Sequence, residues 1–112
     1  MIYDNMKFAF FGTDEFSVIV LNELKEAGHT PSLVITTPDR KAGRGQKMQK
    51  SDAKVWAEEN GIDISQPEEL GTDFQQTISE TEWDFFVVAS YGKIMPKEVV
   101  EMPRLKSLNV HP

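Results

Sequence analysis

A chain of 112 residues with 18 acidic and 12 basic side chains, net charge −6, suits one domain large enough to bury a core. It has no cysteine, which excludes disulfides, a thiolate nucleophile and a cysteine-ligated metal, and its two histidines, His29 and His111, show no metal-ligand spacing. No apolar run is long enough to cross a bilayer, and residues 1–6 lack the marks of a secretory or transit signal, so a cytoplasmic, membrane-free protein is expected.

Lys7–Phe11 is apolar and aromatic and is broken by Gly12-Thr13, which predicts a buried strand. Thr13 is placed to cap a helix, with Asp14 and Glu15 in the first turn, where the helix dipole favours acids. Phe16, Val20, Leu24 and Ala27 fall on one face of that helix, and Gly28 ends it. Leu33–Thr36 reads as a second strand, stopped by Pro38, and a charged loop follows. Ser51 opens a helix that carries Val55 and Trp56 and stops at Asn60-Gly61. Ile62 and Ile64 alternate in a short third strand, and Leu70, Phe74 and Ile78 mark a further helix. Asp84–Ser90 contains Phe85-Phe86-Val87-Val88-Ala89, the pattern of a strand buried on both faces. Pro96 suits the first turn of a helix running to about Met102, and Leu108–His111 forms a fifth strand. There is no internal repeat and no low-complexity tract.

Charge is spread unevenly along this pattern. Between Pro38 and Lys54 lie six basic residues (Arg40, Lys41, Arg44, Lys47, Lys50, Lys54) and two acidic ones (Asp39, Asp52), a local +4, while the rest of the chain carries −10. A basic island on an acidic body attracts a polyanion at one place and repels it elsewhere.

Alternating strands and helices predict an α/β, Rossmann-like open parallel sheet with helices on both faces. In such sheets ligands bind beyond the C-terminal strand ends. Gly12-Thr13, the basic loop, Tyr91-Gly92 and the pair Asn109/His111 all fall at such ends. Asn109 and His111 stand two apart, so a strand would send both side chains to one face, where an amide and an imidazole can polarise a carbonyl and manage a proton. The first strand is followed by one glycine, not the three of a dinucleotide fingerprint, and Asp14 and Glu15 would repel a pyrophosphate. No phosphate-binding Gly-Lys-Ser/Thr loop is present either.

Five stretches taken together carry a resemblance. Phe10-Phe11-Gly12-Thr13-Asp14-Glu15-Phe16, Thr37-Pro38-Asp39-Arg40-Lys41-Ala42-Gly43-Arg44-Gly45, Tyr91-Gly92-Lys93-Ile94-Met95-Pro96, Met102-Pro103-Arg104-Leu105 and Asn109-Val110-His111-Pro112 resemble, in order and spacing, the N-terminal part of the methionyl-tRNA formyltransferases. The resemblance implies transfer of a formyl group from 10-formyltetrahydrofolate to the amino group of initiator methionyl-tRNA in translation initiation, with no metal. It implies catalytic roles for Asn109 and His111, folate contacts from Lys93, Ile94 and Met95, and tRNA contacts from Arg40, Lys41, Arg44 and Lys47. A loop this long and charged is expected to be disordered without RNA, with Gly43 and Gly45 keeping it mobile.

The family pattern continues with a further loop, a later aspartate and a C-terminal β-barrel that helps hold tRNA. The expectation is therefore that residues 1–112 are the N-terminal portion of the catalytic domain, with the sheet incomplete at its C-terminal side and little activity in this segment alone. Two other readings stand beside it: a non-catalytic folded module with weak folate or RNA contacts, and a formyltransferase acting on a nucleotide sugar, against which the arginine-rich loop argues.

Overall fold

Five consecutive buried residues, Phe8–Gly12 (β1), form the middle strand of a parallel sheet. The computed structural model that shows this describes residues 5–112. Residues 1–4, part of the stretch read above as carrying no targeting signal, lie outside the described residues. The other strands of the sheet are β2 (Leu33–Ile35), β5 (Asp63–Ser65), β6 (Phe85–Ala89) and β7 (Ser107–Asn109). Their order is β5-β2-β1-β6-β7, so the chain builds outward on one side of β1 and then crosses to the other. The switch in strand order falls between β1 and β6, where Phe8 to Gly12 pair with Phe85 to Ala89.

Both faces of the sheet are covered, as the two-sided apolar runs require. On one face Phe8, Phe10, Val34, Phe85 and Val87 pack against Leu21 of α1 (Glu15–Glu26) and Trp56 of α2 (Asp52–Glu59). On the other, Phe11, Ile35, Phe86 and Val88 pack against Ile78 of α3 (Thr72–Ile78) and Val99 of α4 (Lys97–Val100). The Phe8 and Phe85 rings stack at 4.9 Å across the central strand pair.

Several details differ from the sequence expectation. Asp14, not Thr13, caps α1: its carboxylate accepts the Phe16 N–H at 3.1 Å from an extended backbone. The innermost positions of α1 are Ser17 and Leu21, while Phe16, Val20 and Leu24 are only partly buried and Ala27 is exposed beyond the last turn. Ser51 does cap α2, but there Val55 faces outward and Trp56 inward. Pro96 stands just before α4, which is a single turn. The fifth strand of the sheet covers Ser107–Asn109, so His111 lies two residues past its end.

The basic loop is not disordered. Arg40–Ala42 (β3) and Lys47–Gln49 (β4) pair antiparallel as a hairpin, with Lys41 opposite Met48 and Ala42 opposite Lys47. Gly43 and Gly45 serve the turn rather than mobility: both take the left-handed conformation (φ 71° and 88°), which glycine adopts without steric cost.

Candidate functional site

The C-terminal ends of β1, β6 and β7 lie side by side: Gly12 pairs with Ala89, and Asn109 pairs with Val88. Parallel partners point to the same face, and Val88 belongs to the cluster that packs on α3 and α4. Asn109 therefore emerges on that face, exposed, and His111 follows it, also exposed. The ladder runs one bond past β7, from the Val110 N–H to the Val88 carbonyl at 2.8 Å.

The loop after β6 is held against the loop after β1 by short-range polar contacts. Ser17 is fully buried; its hydroxyl donates to the Ala89 carbonyl at 2.6 Å and accepts the Thr13 N–H at 2.8 Å. The Thr13 hydroxyl accepts the Gly92 N–H at 2.9 Å, and the Ser90 hydroxyl donates to Asp14 at 2.6 Å. Ser90 sits in the left-handed region (φ 58°), a conformation that costs a non-glycine residue about 1 kcal/mol or more and that these bonds maintain. Tyr91 turns back to place its ring edge-on to Phe11 at 5.6 Å. Burial pushes its phenol up to about 12, and its hydroxyl has no partner among the described residues.

Beyond this latch lies an open groove of about 640 Å³ lined by Glu69, Leu70, Gly71, Gly92, Lys93, Ile94 and Pro96. Ile94 is 86% exposed, an uncommon position for an isoleucine and one that a flat apolar ligand would cover. Lys93 and Ile94 thus face the groove, whereas Met95 packs against the core cluster containing Phe11 and Val88.

The basic island divides into two sets. Lys50 pairs with Glu58 at 2.9 Å, and Lys54 pairs with Asp39 at 2.9 Å. Arg40, Lys41, Arg44 and Lys47, all on the hairpin or its turn, have no ion-pair partner among the described residues and remain exposed. The Lys54–Asp39 pair is the more enclosed one, and Gln66 adds a bond to the same carboxylate at 2.8 Å and one to the Thr37 carbonyl. One carboxylate at the root of the hairpin is therefore tied to α2 and to the segment after β5. The Lys54 ammonium, and then the Gln66 amide, hold the Asp39 carboxyl below its ordinary range. A depressed carboxyl contributes above its unfolded pKa, and that contribution is lost only as pH falls through the lower folded value. The hairpin root is thus expected to stay intact from neutral pH down through the ordinary carboxylate range near about pH 4. NMR signals of Asp39 and Gln66 followed in an acid titration test this; a transition centred above about pH 5 would contradict it.

A family comparison now bears on this geometry. Residues 6–112 match the family described as "Formyl transferase". The chain belongs to the formyl transferase family. It is 41% identical over 107 residues to a protein named methionyl-tRNA formyltransferase from Natranaerobius thermophilus, covering 95% of this chain and 34% of that protein. It is 44% identical over 108 residues to one of the same name from Chromobacterium violaceum, covering 95% and 35%. The chain thus spans about a third of the length of these relatives.

Two parts of this candidate site escaped the sequence reading. The Ser17–Thr13–Gly92 latch joins residues more than 70 positions apart, and the Asp39–Lys54–Gln66 anchor joins three separate elements. The one local signal is the FGTDEF stretch itself, which marks the family resemblance and a helix start but not these long-range bonds. Among the described residues no helix is long and apolar enough to cross a membrane.

Proposed function

We propose that this chain carries the donor groove, the acceptor hairpin and two catalytic side chains of a methionyl-tRNA formyltransferase, which moves the formyl group of 10-formyltetrahydrofolate to the α-amine of initiator methionyl-tRNA. The observation that carries the reading is that the Lys93–Ile94 groove, which follows β6, and Asn109, at the end of the neighbouring β7, both lie at C-terminal strand ends on the sheet face covered by α3 and α4. The names of the two relatives supply the acceptor.

The groove fits the donor in kind. Its volume lies within the usual range for small-molecule sites, and Leu70, Ile94 and Pro96 give it apolar walls suited to a pterin ring. The acceptor amine attacks the formyl carbon, and negative charge builds on the formyl oxygen. The Asn109 amide donates a hydrogen bond to that oxygen, a contribution of about 3–4 kcal/mol when such a donor is preorganised. His111 accepts the proton released by the amine and returns one to the donor nitrogen as its bond to the formyl carbon breaks. The products are an N-formyl amine and a donor nitrogen bearing hydrogen, so atoms and charge balance with no further reactant.

The hairpin cations suit the acceptor. Arg40, Lys41, Arg44 and Lys47 present four positive charges without an ion-pair partner among the described residues, on an acidic body, and Arg44 at the turn can reach phosphates or stack on an unpaired base. Alanine at any one of them is expected to lower the slope of log affinity against log salt by about 1, read by filter binding of methionyl-tRNA at several salt concentrations. An unchanged slope for all four would remove the hairpin from the interface.

The direct test is formyl transfer by the full-length gene product supplied with 10-formyltetrahydrofolate. Formylation of methionyl-tRNA, with none of amino-sugar nucleotides, is the expected result. The reverse preference would overturn the reading.

A further inference from the structure

The loop that walls the donor groove leaves β6 through a residue that does not favour its own conformation. Ser90 takes φ 58°, a region that glycine enters freely and that a residue with a Cβ enters at a cost. Among the described residues Gln46 and Lys106 are the other non-glycine residues with positive φ, and neither leads into the groove. The direction the chain takes at Ser90 decides where Gly92, Lys93 and Ile94 come to lie, and all three line the groove. Backbone strain of this kind persists only where the surroundings hold it.

Asp14 holds it from across the sheet. One oxygen of its carboxylate accepts the Phe16 N–H at 3.1 Å and caps α1, while the other accepts the Ser90 hydroxyl at 2.6 Å, 76 residues further along the chain. Two more bonds join the same loops: the Thr13 N–H donates to the Ser90 carbonyl, and the Gly92 N–H donates to the Thr13 hydroxyl, each at 2.9 Å. Those two engage the loop's backbone. Among the described residues, the Asp14 bond alone engages the Ser90 side chain. Asp14 is itself exposed and does not line the groove, so it acts on a ligand there through Ser90 and not by contact. Its two oxygens thus carry two separable tasks, a local helix cap and a distant grip on the groove loop.

We propose that Asp14 is a positioning residue for the groove: by holding Ser90 in the left-handed conformation, its carboxylate sets the Gly92–Ile94 wall against which the formyl donor packs. The assignment rests on the reading of that groove as the donor site. Substitution at Ser90 separates the two tasks. Ser90→Ala keeps the Cβ and removes the hydroxyl, Ser90→Gly removes both, and neither touches the cap of α1.

The test uses the full-length gene product. Ser90→Ala is expected to raise KM for 10-formyltetrahydrofolate about fivefold, the population cost of leaving a left-handed residue unsupported, with kcat little changed. Ser90→Gly should keep that KM within about twofold of its starting value, because glycine holds the conformation unaided. Asp14→Ala should raise the donor KM as Ser90→Ala does and also lower the unfolding temperature, since the helix cap goes with it. Adding Ser90→Gly to Asp14→Ala separates the roles: donor KM should return towards its starting value while the lost thermal stability stays lost. A donor KM unmoved by Ser90→Ala, or one raised by Asp14→Ala and not recovered by Ser90→Gly, would overturn the proposal. Amide hydrogen exchange over residues 91–95, where the Gly92 N–H bond to Thr13 reports the latch, gives a second readout that needs no turnover. Exchange should quicken in Ser90→Ala and not in Ser90→Gly, and exchange unaltered in Ser90→Ala would overturn the proposal whatever the substrate. Quickened exchange in a protein that transfers no formyl group would uphold the hold on the loop and remove the donor reading instead.

Discussion

On the proposed formyl-transfer reading, replacing Asn109 with alanine in the full-length protein is expected to lower kcat by about 10²–10³-fold while leaving KM for the donor and for methionyl-tRNA near their starting values. In that proposal charge develops on the formyl oxygen, and a donor aimed there acts mainly in the transition state and only weakly on the bound ground state. The fold should not suffer, because Asn109 is exposed at the end of β7, and surface substitutions of this kind usually change stability by less than about 0.5 kcal/mol. Unaltered thermal unfolding with a large loss of kcat is therefore the expected combination. If KM rose and kcat held, Asn109 would be a binding residue and the oxyanion role would fall. His111→Ala offers a second reading of the same centre. If the two side chains act on one transition state, the double variant should lose much less than the product of the two single losses.

The two-sided apolar runs were the most legible part of the fold. Phe8-Ala9-Phe10-Phe11 and Phe85-Phe86-Val87-Val88 can satisfy their side chains only in a sheet covered on both faces, and both are buried in the middle of one. The helix caps were legible at Ser51, whose hydroxyl still accepts the Lys54 N–H although it also bonds the Thr36 hydroxyl, and failed at Thr13, where a distant partner took the cap. Thr13 has a hydroxyl as suitable as the Asp14 carboxylate, but that hydroxyl is taken by Gly92, 79 residues away. Ser17 gave no signal at all, because a serine on a helix face reads as neutral until the Ala89 carbonyl is placed above it.

The hairpin was missed for a related reason. Arg40-Lys41-Ala42 and Lys47-Met48-Gln49 contain no apolar alternation, and every residue but the half-buried Ala42 is exposed. Local pattern alone therefore predicts disorder. What orders the segment is its root, where Asp39 meets Lys54 and Gln66 from elements 15 and 27 residues further on. The free hairpin cations, by contrast, were readable as charge, and the structure adds which of the six are already paired.

The Gly12→Ala variant is expected to be the most damaging single-methyl change to the fold. A Cβ at this position would lie 2.5 Å from the Ser17 hydroxyl, 2.6 Å from the Phe10 ring and 2.7 Å from Ser17 Cβ, closer than atoms pack. Neither neighbour can move freely. Phe10 is fully buried in the core, and the Ser17 hydroxyl is held by the Ala89 carbonyl and the Thr13 N–H. Overpacking of about 1–3 kcal/mol adds to the loss of a buried hydrogen-bonding group worth about 1–3 kcal/mol. The total, about 2–6 kcal/mol, is a large share of the roughly 5–15 kcal/mol that holds a domain together. Urea unfolding measures it directly, and a loss below about 1 kcal/mol would mean that Ser17 yields more easily than its bonds imply. Where the variant does fold, the strain falls on Thr13, whose hydroxyl holds Gly92 at the wall of the Lys93–Ile94 groove. KM for the proposed donor should then rise, because one glycine at the end of β1 leaves the room in which that loop is held.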